Sequence, residues 1–184
     1  MPFYNCQILF QYNNKKWYNL NTYYKFANMV KKIHILTTLS IGLFFILDQF
    51  LKWQSLHNWS EAHLLHKFLG WQPFLNSGVA FGLPLPNIFQ IIFSIIIITI
   101  ISYIFFNLPK QKTLFITHFS LLLIIIGAIS NLIDRIIYQN TMDYLLILTG
   151  IINLADIMIV IGFILFFYNN FTYSKGSSIT QDNK

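Results

Sequence analysis

Charge is what this sequence has least of. Asp, Glu, Lys and Arg make up 10% of its 184 residues, against roughly 25% in an ordinary soluble domain. Hydrophobic residues reach 55% and aromatic ones 18%, so little material is left for a separate water-soluble body. A single cysteine, Cys6, excludes an intramolecular disulfide framework and a Cys-rich metal site. There is no P-loop and no G-x-G-x-x-G, so no nucleotide is implied. H-E-x-x-H is missing as well. The loop "HNWSEAHLLH", with His57, Glu61, His63 and His66, reads as an interfacial amphipathic stretch rather than a metal site. No Ser–His–Asp set can be assembled, since His34 and His118 fall in apolar runs near or within the opposite half. The net charge of +6 raises the question of nucleic acid. The lysines flank apolar runs instead of forming a patch, so the expected partner is lipid, with no nucleic acid, metal or other cofactor.

What the chain does have is four apolar runs of the roughly 20 residues that a membrane-spanning helix needs. They cover about 33–53, 86–106, 113–137 and 147–168. Helix is the expected state, because four such segments cannot close a barrel and open sheet edges are not tolerated in lipid. Four spans put both termini and the "NLPKQK" turn on one side. That side carries Lys15, Lys16, Lys25, Lys31, Lys32, Lys110, Lys112, Lys175 and Lys184, against Lys52, Lys67 and Arg135 on the other. The excess predicts cytoplasmic termini. Trp53, Trp59 and Trp71 then fall on the outer side, where interfacial anchors belong.

Residues 1–28 lack a continuous apolar core and are no signal peptide. Two readings stay open: a cytoplasmic extension, or a segment upstream of a working start at Met29, whose "VKKIHIL" is a basic flank running into the first span. Residues 29–168 form the membrane domain and 169–184 a cytoplasmic tail.

The six acidic residues are Asp48, Glu61, Asp134, Asp143, Asp156 and Asp182. The first span runs outward and ends "DQFLK", with Asp48 and Lys52 one turn apart. The third also runs outward and ends "NLIDR", with Asn131, Asp134 and Arg135 on one face. The fourth runs inward and begins "NLAD", with Asn153 and Asp156 on one face. Asp143 lies in the loop between the last two. Helix order therefore brings these polar groups to one membrane level. Each has a plain structural use, as an interfacial ion pair, a snorkelling end residue or interhelical glue. Asp156 is harder to explain away, because a carboxylate inside an apolar run costs several kcal/mol unless paired, hydrated or protonated. Arg135 needs one carboxylate partner, and Asp134, Asp143 and Asp156 are available. An excess of half-buried carboxylates splits their pKa values, one keeping a proton while another is ionised. Such a pair can take a proton from water and give one to a leaving amine. An ion or proton carrier would also concentrate such groups, and a non-catalytic scaffold would use them for packing.

Five blocks, "DQFLK" (48–52), "NSGVAFG" (76–82), "GAISNLIDR" (127–135), "MDY" (142–144) and "INLAD" (152–156), follow the order of the lipoprotein signal peptidases (signal peptidase II), which the chain resembles over 33–168. The resemblance implies a bacterial cytoplasmic-membrane aspartic endopeptidase, a monomer working without a cofactor near the outer face. Its substrates would be diacylglyceryl-modified prolipoproteins, cut just before the lipid-bearing cysteine. It further implies an all-α membrane protein of four transmembrane helices, with a small extracytoplasmic β-cradle in the loop between spans one and two. Carried over, the catalytic pair is Asp143 and Asp156. Asp48, Lys52, Asn76, Gly78, Asn131, Arg135, Asn153 and Ala155 line or brace the substrate site, and Asp134 is structural. Three departures stand out. Ile126 and Ser130 replace glycines of the family's G-G-A-x-G-N, "MDY" replaces V-D-F, and the segment from Asp143 to Asp156 is short, which bears on any outer lid.

Overall fold

The computed structural model describes residues 9–12, 16–78, 85–108 and 115–179. Contacts divide the chain into two compact units, 1–40 and 41–184. In the first, β1 (Leu9–Tyr12) pairs antiparallel with β2 (Lys16–Asn19). The long helix α1 (Leu20–His57) follows directly, so Met29 lies inside a helix rather than at the head of one.

The second unit takes in the remainder of α1, then β3 (His63–His66), β4 (Leu69–Asn76), α2 (Asn87–Asn107), α3 (Phe115–Tyr138), β5 (Thr141–Ile147), β6 (Gly150–Ile152) and α4 (Leu154–Ile179). Among the described residues, three helical stretches, Lys31–His57, Asn87–Asn107 and Phe115–Tyr138, are long and apolar enough to cross a membrane, and Leu154–Asn170 is a shorter apolar helix. The fourth apolar run does not begin as a helix. Residues 147–152 go to β5 and β6, and α4 starts only after Asn153. The "NLPKQK" turn extends into residues outside the described ones.

The sheet is four-stranded and antiparallel, in the order β3-β4-β5-β6. It is built from two connections, not from the one between the first two spans alone. A lone hairpin is marginal in stability, and β4 gains its second partner from the α3–α4 connection. The "SEAHLLHKFLGW" stretch is accordingly folded into the β3–β4 hairpin. Register sets Phe74 opposite Asp143 and Asn76 opposite Thr141. Of the "NSGVAFG" block, residues 79–82 lie outside the described ones.

Helix α3 packs against α2 and α4. Its apolar window is half buried while that of α2 is only 6% buried, which leaves most of α2 for lipid. Ile41, Leu123 and Met158 form the apolar core, joined by the half-buried Ile126. The backbones of α3 and α4 approach closely through glycine, as transmembrane helices commonly do. A Cβ on Gly127 would meet the Ala155 carbonyl oxygen at 2.7 Å, and one on Gly162 the Ser120 carbonyl oxygen at 2.8 Å.

Candidate active site

The site begins with the way α4 starts. The first amides of a helix have no partner within it. Here Asn153 is the N-cap: its Oδ1 accepts from the Asp156 amide at 2.9 Å, while Asp156 Oδ2 accepts from the Asn153 amide at 3.2 Å. This reciprocal capping box is written in "NLAD". It fixes Asp156 in the first turn, where the helix dipole favours negative charge. The next two amides reach outside the helix. Ala155 N donates to Asp48 Oδ1 at 3.2 Å, and Leu154 N to the Tyr144 hydroxyl at 3.1 Å.

Asp48 and Lys52, one turn apart on α1, are almost wholly buried. Lys52 Nζ lies 2.8 Å from Asp48 Oδ2 and 2.9 Å from Asp134 Oδ2, and donates to Asn131 Oδ1 at 2.9 Å. An ammonium has three donors, and all three are used. Asp48 also accepts from the Ser130 hydroxyl at 2.6 Å and the Tyr144 hydroxyl at 2.9 Å. Asp134 accepts further from Gln49 and the Met142 amide. Asp134 therefore pairs with Lys52. The expected ion pair with Arg135 is not formed: Arg135 donates instead to Thr141 Oγ1 at 3.0 Å and Ser94 Oγ at 3.4 Å. The reason is helical geometry. Asn131 and Asp134 point into the buried face of α3, while Arg135 is turned toward α2 and the start of β5.

Asp143 and Asp156 form the second carboxylate group. Asp143, buried on β5, accepts from Asn153 Nδ2 at 2.7 Å through Oδ1 and from Asn76 Nδ2 at 2.9 Å through Oδ2. Asp156, half-buried, accepts from Asn131 Nδ2 at 2.8 Å. Asn153 thus bonds both carboxylates, one through its side chain and one through its backbone. Among the described residues, no lysine or arginine lies within ion-pair distance of either. Burial first, and the Asp156 charge second, push the Asp143 carboxyl up to about 7, against the opposing pull of the Asn76 and Asn153 amides. A carboxyl there exchanges its proton near neutrality.

All eleven residues expected at the site are described. Asp48, Lys52, Asn131, Asp134, Asn153, Ala155, Asp143, Asp156 and Asn76 form one connected hydrogen-bond network. Gly78 joins at its rim, its amide donating to Asn76 Oδ1 at 2.9 Å. Arg135 stands beside it, linked through Thr141. Among the described residues, every buried side-chain nitrogen and oxygen has a partner. No group of three His, Cys, Asp or Glu there is set to hold a metal ion.

Several contributors lie beyond the residues expected at the site. Ser130 is a member of the ion cluster, bonding Asp48 and accepting from Gln49 at 2.8 Å. The Ser130 hydroxyl therefore contributes hydrogen bonds to the cluster. Gln90 donates to Ser77 O at 2.9 Å and Leu85 O at 2.6 Å, holding both ends of the loop that follows Asn76. Its isolation as an amide in an isoleucine-rich helix was a legible signal. Tyr144 is wholly buried, and only its place beside Asp143 and the departure of "MDY" from V-D-F marked it.

Comparison with known proteins bears on the same region. Residues 40–172 match the family described as signal peptidase (SPase) II. A lipoprotein signal peptidase of Listeria monocytogenes serotype 4a is 34% identical over 128 residues, covering 65% of this chain and 82% of the relative. One from Bartonella tribocorum is 34% identical over 145 residues, covering 74% and 86%. A solved structure described as a bacterial membrane enzyme, determined in meso at 2.3 Å, superposes with a TM-score of 0.68 at 25% identity, over 77% of this chain and 90% of that one. Sequence match, relatives and fold agree, and the chain belongs to the signal peptidase (SPase) II family.

Proposed function

We propose that this protein is a membrane aspartic endopeptidase that removes signal peptides from diacylglyceryl-modified prolipoproteins, cutting before the lipidated cysteine. The observation that carries the reading is the pairing of Asp143 and Asp156 through Asn153 with no cation between them. Two carboxylates held close by neutral amides retain the repulsion that makes them share one proton. In the mechanism, Asp156 takes a proton from water as the oxygen attacks the scissile carbonyl carbon. Asp143 gives its proton to the carbonyl oxygen. Collapse of the tetrahedral diol breaks the C–N bond: the proton gained by Asp156 passes to the leaving amine, and one diol hydroxyl returns a proton to Asp143 as the new carboxyl group forms. Asn76 and Asn131 orient the two carboxylates. Lys52 pairs with Asp48 and Asp134, and neither Asp143 nor Asp156 lies within ion-pair distance of it.

A carrier would string its polar groups along both halves of the bundle. Here the charged groups gather where α1 and α3 end and α4 begins, beside the sheet. On the proposed topology, four spans cross the bacterial cytoplasmic membrane, with termini inside and the sheet end outside, as the excess of lysine on the terminal side supports. The substrate's acyl chains would lie among or along the apolar helices while its peptide crosses the polar cluster.

The test is cleavage of a lipidated precursor by purified protein, with the unlipidated precursor as control and mass spectrometry of the new N-terminus. A product beginning at the lipid-bearing cysteine is expected from the lipidated form alone. Equal cleavage of both forms, or none of either, removes the proposal.

A further inference from the structure

Tyr144, wholly buried on β5 next to Asp143, carries a hydroxyl inside the polar cluster. That hydroxyl donates to Asp48 Oδ1 at 2.9 Å and accepts from Leu154 N at 3.1 Å. Its ring lies under Trp71, with centroids 5.0 Å apart. Trp71 in turn donates through Nε1 to the Trp59 carbonyl oxygen at 2.8 Å. The side chain is therefore fixed at both ends, by an indole on the ring and by two partners on the oxygen.

The neighbouring residue on the same strand is Asp143, which holds the other side of the α4 start through Asn153 Nδ2 at 2.7 Å. Strand β5 thus grips the first turn of α4 at two adjacent points. One is the Asp143–Asn153 bond, and the other is the Tyr144 hydroxyl on the Leu154 amide. Asp156 is two residues past Leu154, inside that turn. These two points from β5 act together with the Ala155–Asp48 and Asn131–Asp156 bonds, and the Tyr144 bond is the one that holds Leu154, so its loss lets the turn and the Asp156 carboxylate shift relative to Asp143. We propose that the Tyr144 hydroxyl is a positioning group that fixes the first turn of α4 against β5, and with it the mutual placement of Asp143 and Asp156. The proposal rests on those two aspartates being the reacting pair.

A phenylalanine at 144 keeps the ring and its stacking and deletes both hydrogen bonds. It leaves the Leu154 amide without its acceptor and Asp48 Oδ1 with one donor fewer. A small misplacement of reacting groups costs up to about a hundredfold in rate. Substrate binding, spread over acyl chains and peptide, does not depend on that orientation. Steady-state cleavage of the lipidated precursor by Tyr144→Phe should therefore show kcat lower by about tenfold to a hundredfold, with KM within about twofold. A brace that merely supported the fold would lower the yield of folded protein and leave the rate per folded molecule unchanged. A kcat per folded enzyme equal to the parent's, or a loss carried entirely in KM, overturns the proposal.

Asp143→Asn is assayed alongside. If it cleaves like the parent, the reading of the reacting pair fails; if it is inactive while Tyr144→Phe is unimpaired, only the positioning proposal fails. Should Tyr144→Phe not fold, amide hydrogen exchange of the parent protein decides. Leu154 should be protected comparably to Ala155, and exchange of Leu154 at the rate of an unbonded amide overturns the proposal.

Discussion

Two pairs of aspartates lie within one polar cluster, and what stands between the members of each pair differs. Between Asp48 and Asp134 stands an ammonium, Lys52, at 2.8 and 2.9 Å. Between Asp143 and Asp156 stands an asparagine. The ammonium cancels charge, and each of its carboxylates also accepts hydrogen bonds from neutral donors. The asparagine fixes geometry and cancels nothing, so its carboxylates still compete for a proton. Residue type is the same in all four; on the proposed assignment, the intervening group separates the structural pair from the pair that transfers protons.

The sharpest way to break this contrast is to neutralise each aspartate in turn. Asp143→Asn and Asp156→Asn should each lower cleavage by about a thousandfold or more while leaving the protein folded. Since both serve one proton-transfer unit, the double variant should be little worse than either single one. Cleavage by Asp143→Asn at a rate near the parent's would end the assignment.

On the other pair the effect should appear in stability. Lys52→Met leaves Asp48 and Asp134 buried without their cation, a change that costs about 3–5 kcal/mol when one partner of a buried pair is removed. Asp134→Asn should cost less and retain cleavage per folded molecule. Melting in detergent, measured beside the cleavage rate, separates the two readings. A stable but inactive Asp134→Asn would reverse the roles of the pairs.

The smallest expected effect is a slope. The folded-state value for Asp143, about 7, lies above its ordinary value of 3.8. The folded protein therefore holds a proton that the unfolded chain has already released. Stability contributed by that proton is fully present below about pH 4 and is lost as pH rises through 7. Melting of the parent should fall between pH 5 and 8, and Asp143→Asn should show a flatter profile across that window. Equal slopes would mean that Asp143 does not carry the proton. The same proton loss should reduce cleavage above pH 7.

Much of this cluster was legible from the order of elements. Span direction and the turn positions of Asp48, Asn131, Asp134 and Asp156 are enough to bring them to one level, and "NLAD" announces a cap. The partner of Asp134 was not legible. Asp134 and Arg135 are sequence neighbours, but adjacent helical positions point about 100° apart, and the cation that meets Asp134 comes from α1. Strands β5 and β6 were hidden as well. "LLILTGII" is apolar enough to extend the following helix, and its strand state depends on β4, some 70 residues earlier, offering an edge. Tyr144 and Ser130 are uncharged, and their value lies wholly in tertiary contacts.

The full occupation of the α4 start has a consequence for the reaction path. Helix N-termini often stabilise anions because their amides are free. Here the amides of Asn153, Leu154, Ala155 and Asp156 are already bonded to Asp156, Tyr144, Asp48 and Asn153. No oxyanion hole can be assembled from them without dismantling the brace that holds Asp156. On the proposed mechanism, negative charge developing on the substrate carbonyl is quenched by proton transfer from Asp143, with no shelter from these four amides. An inhibitor with an uncharged, hydroxyl-bearing tetrahedral carbon should therefore bind more tightly than its anionic phosphonate counterpart, and the reverse order would show that donors other than these amides receive the charge.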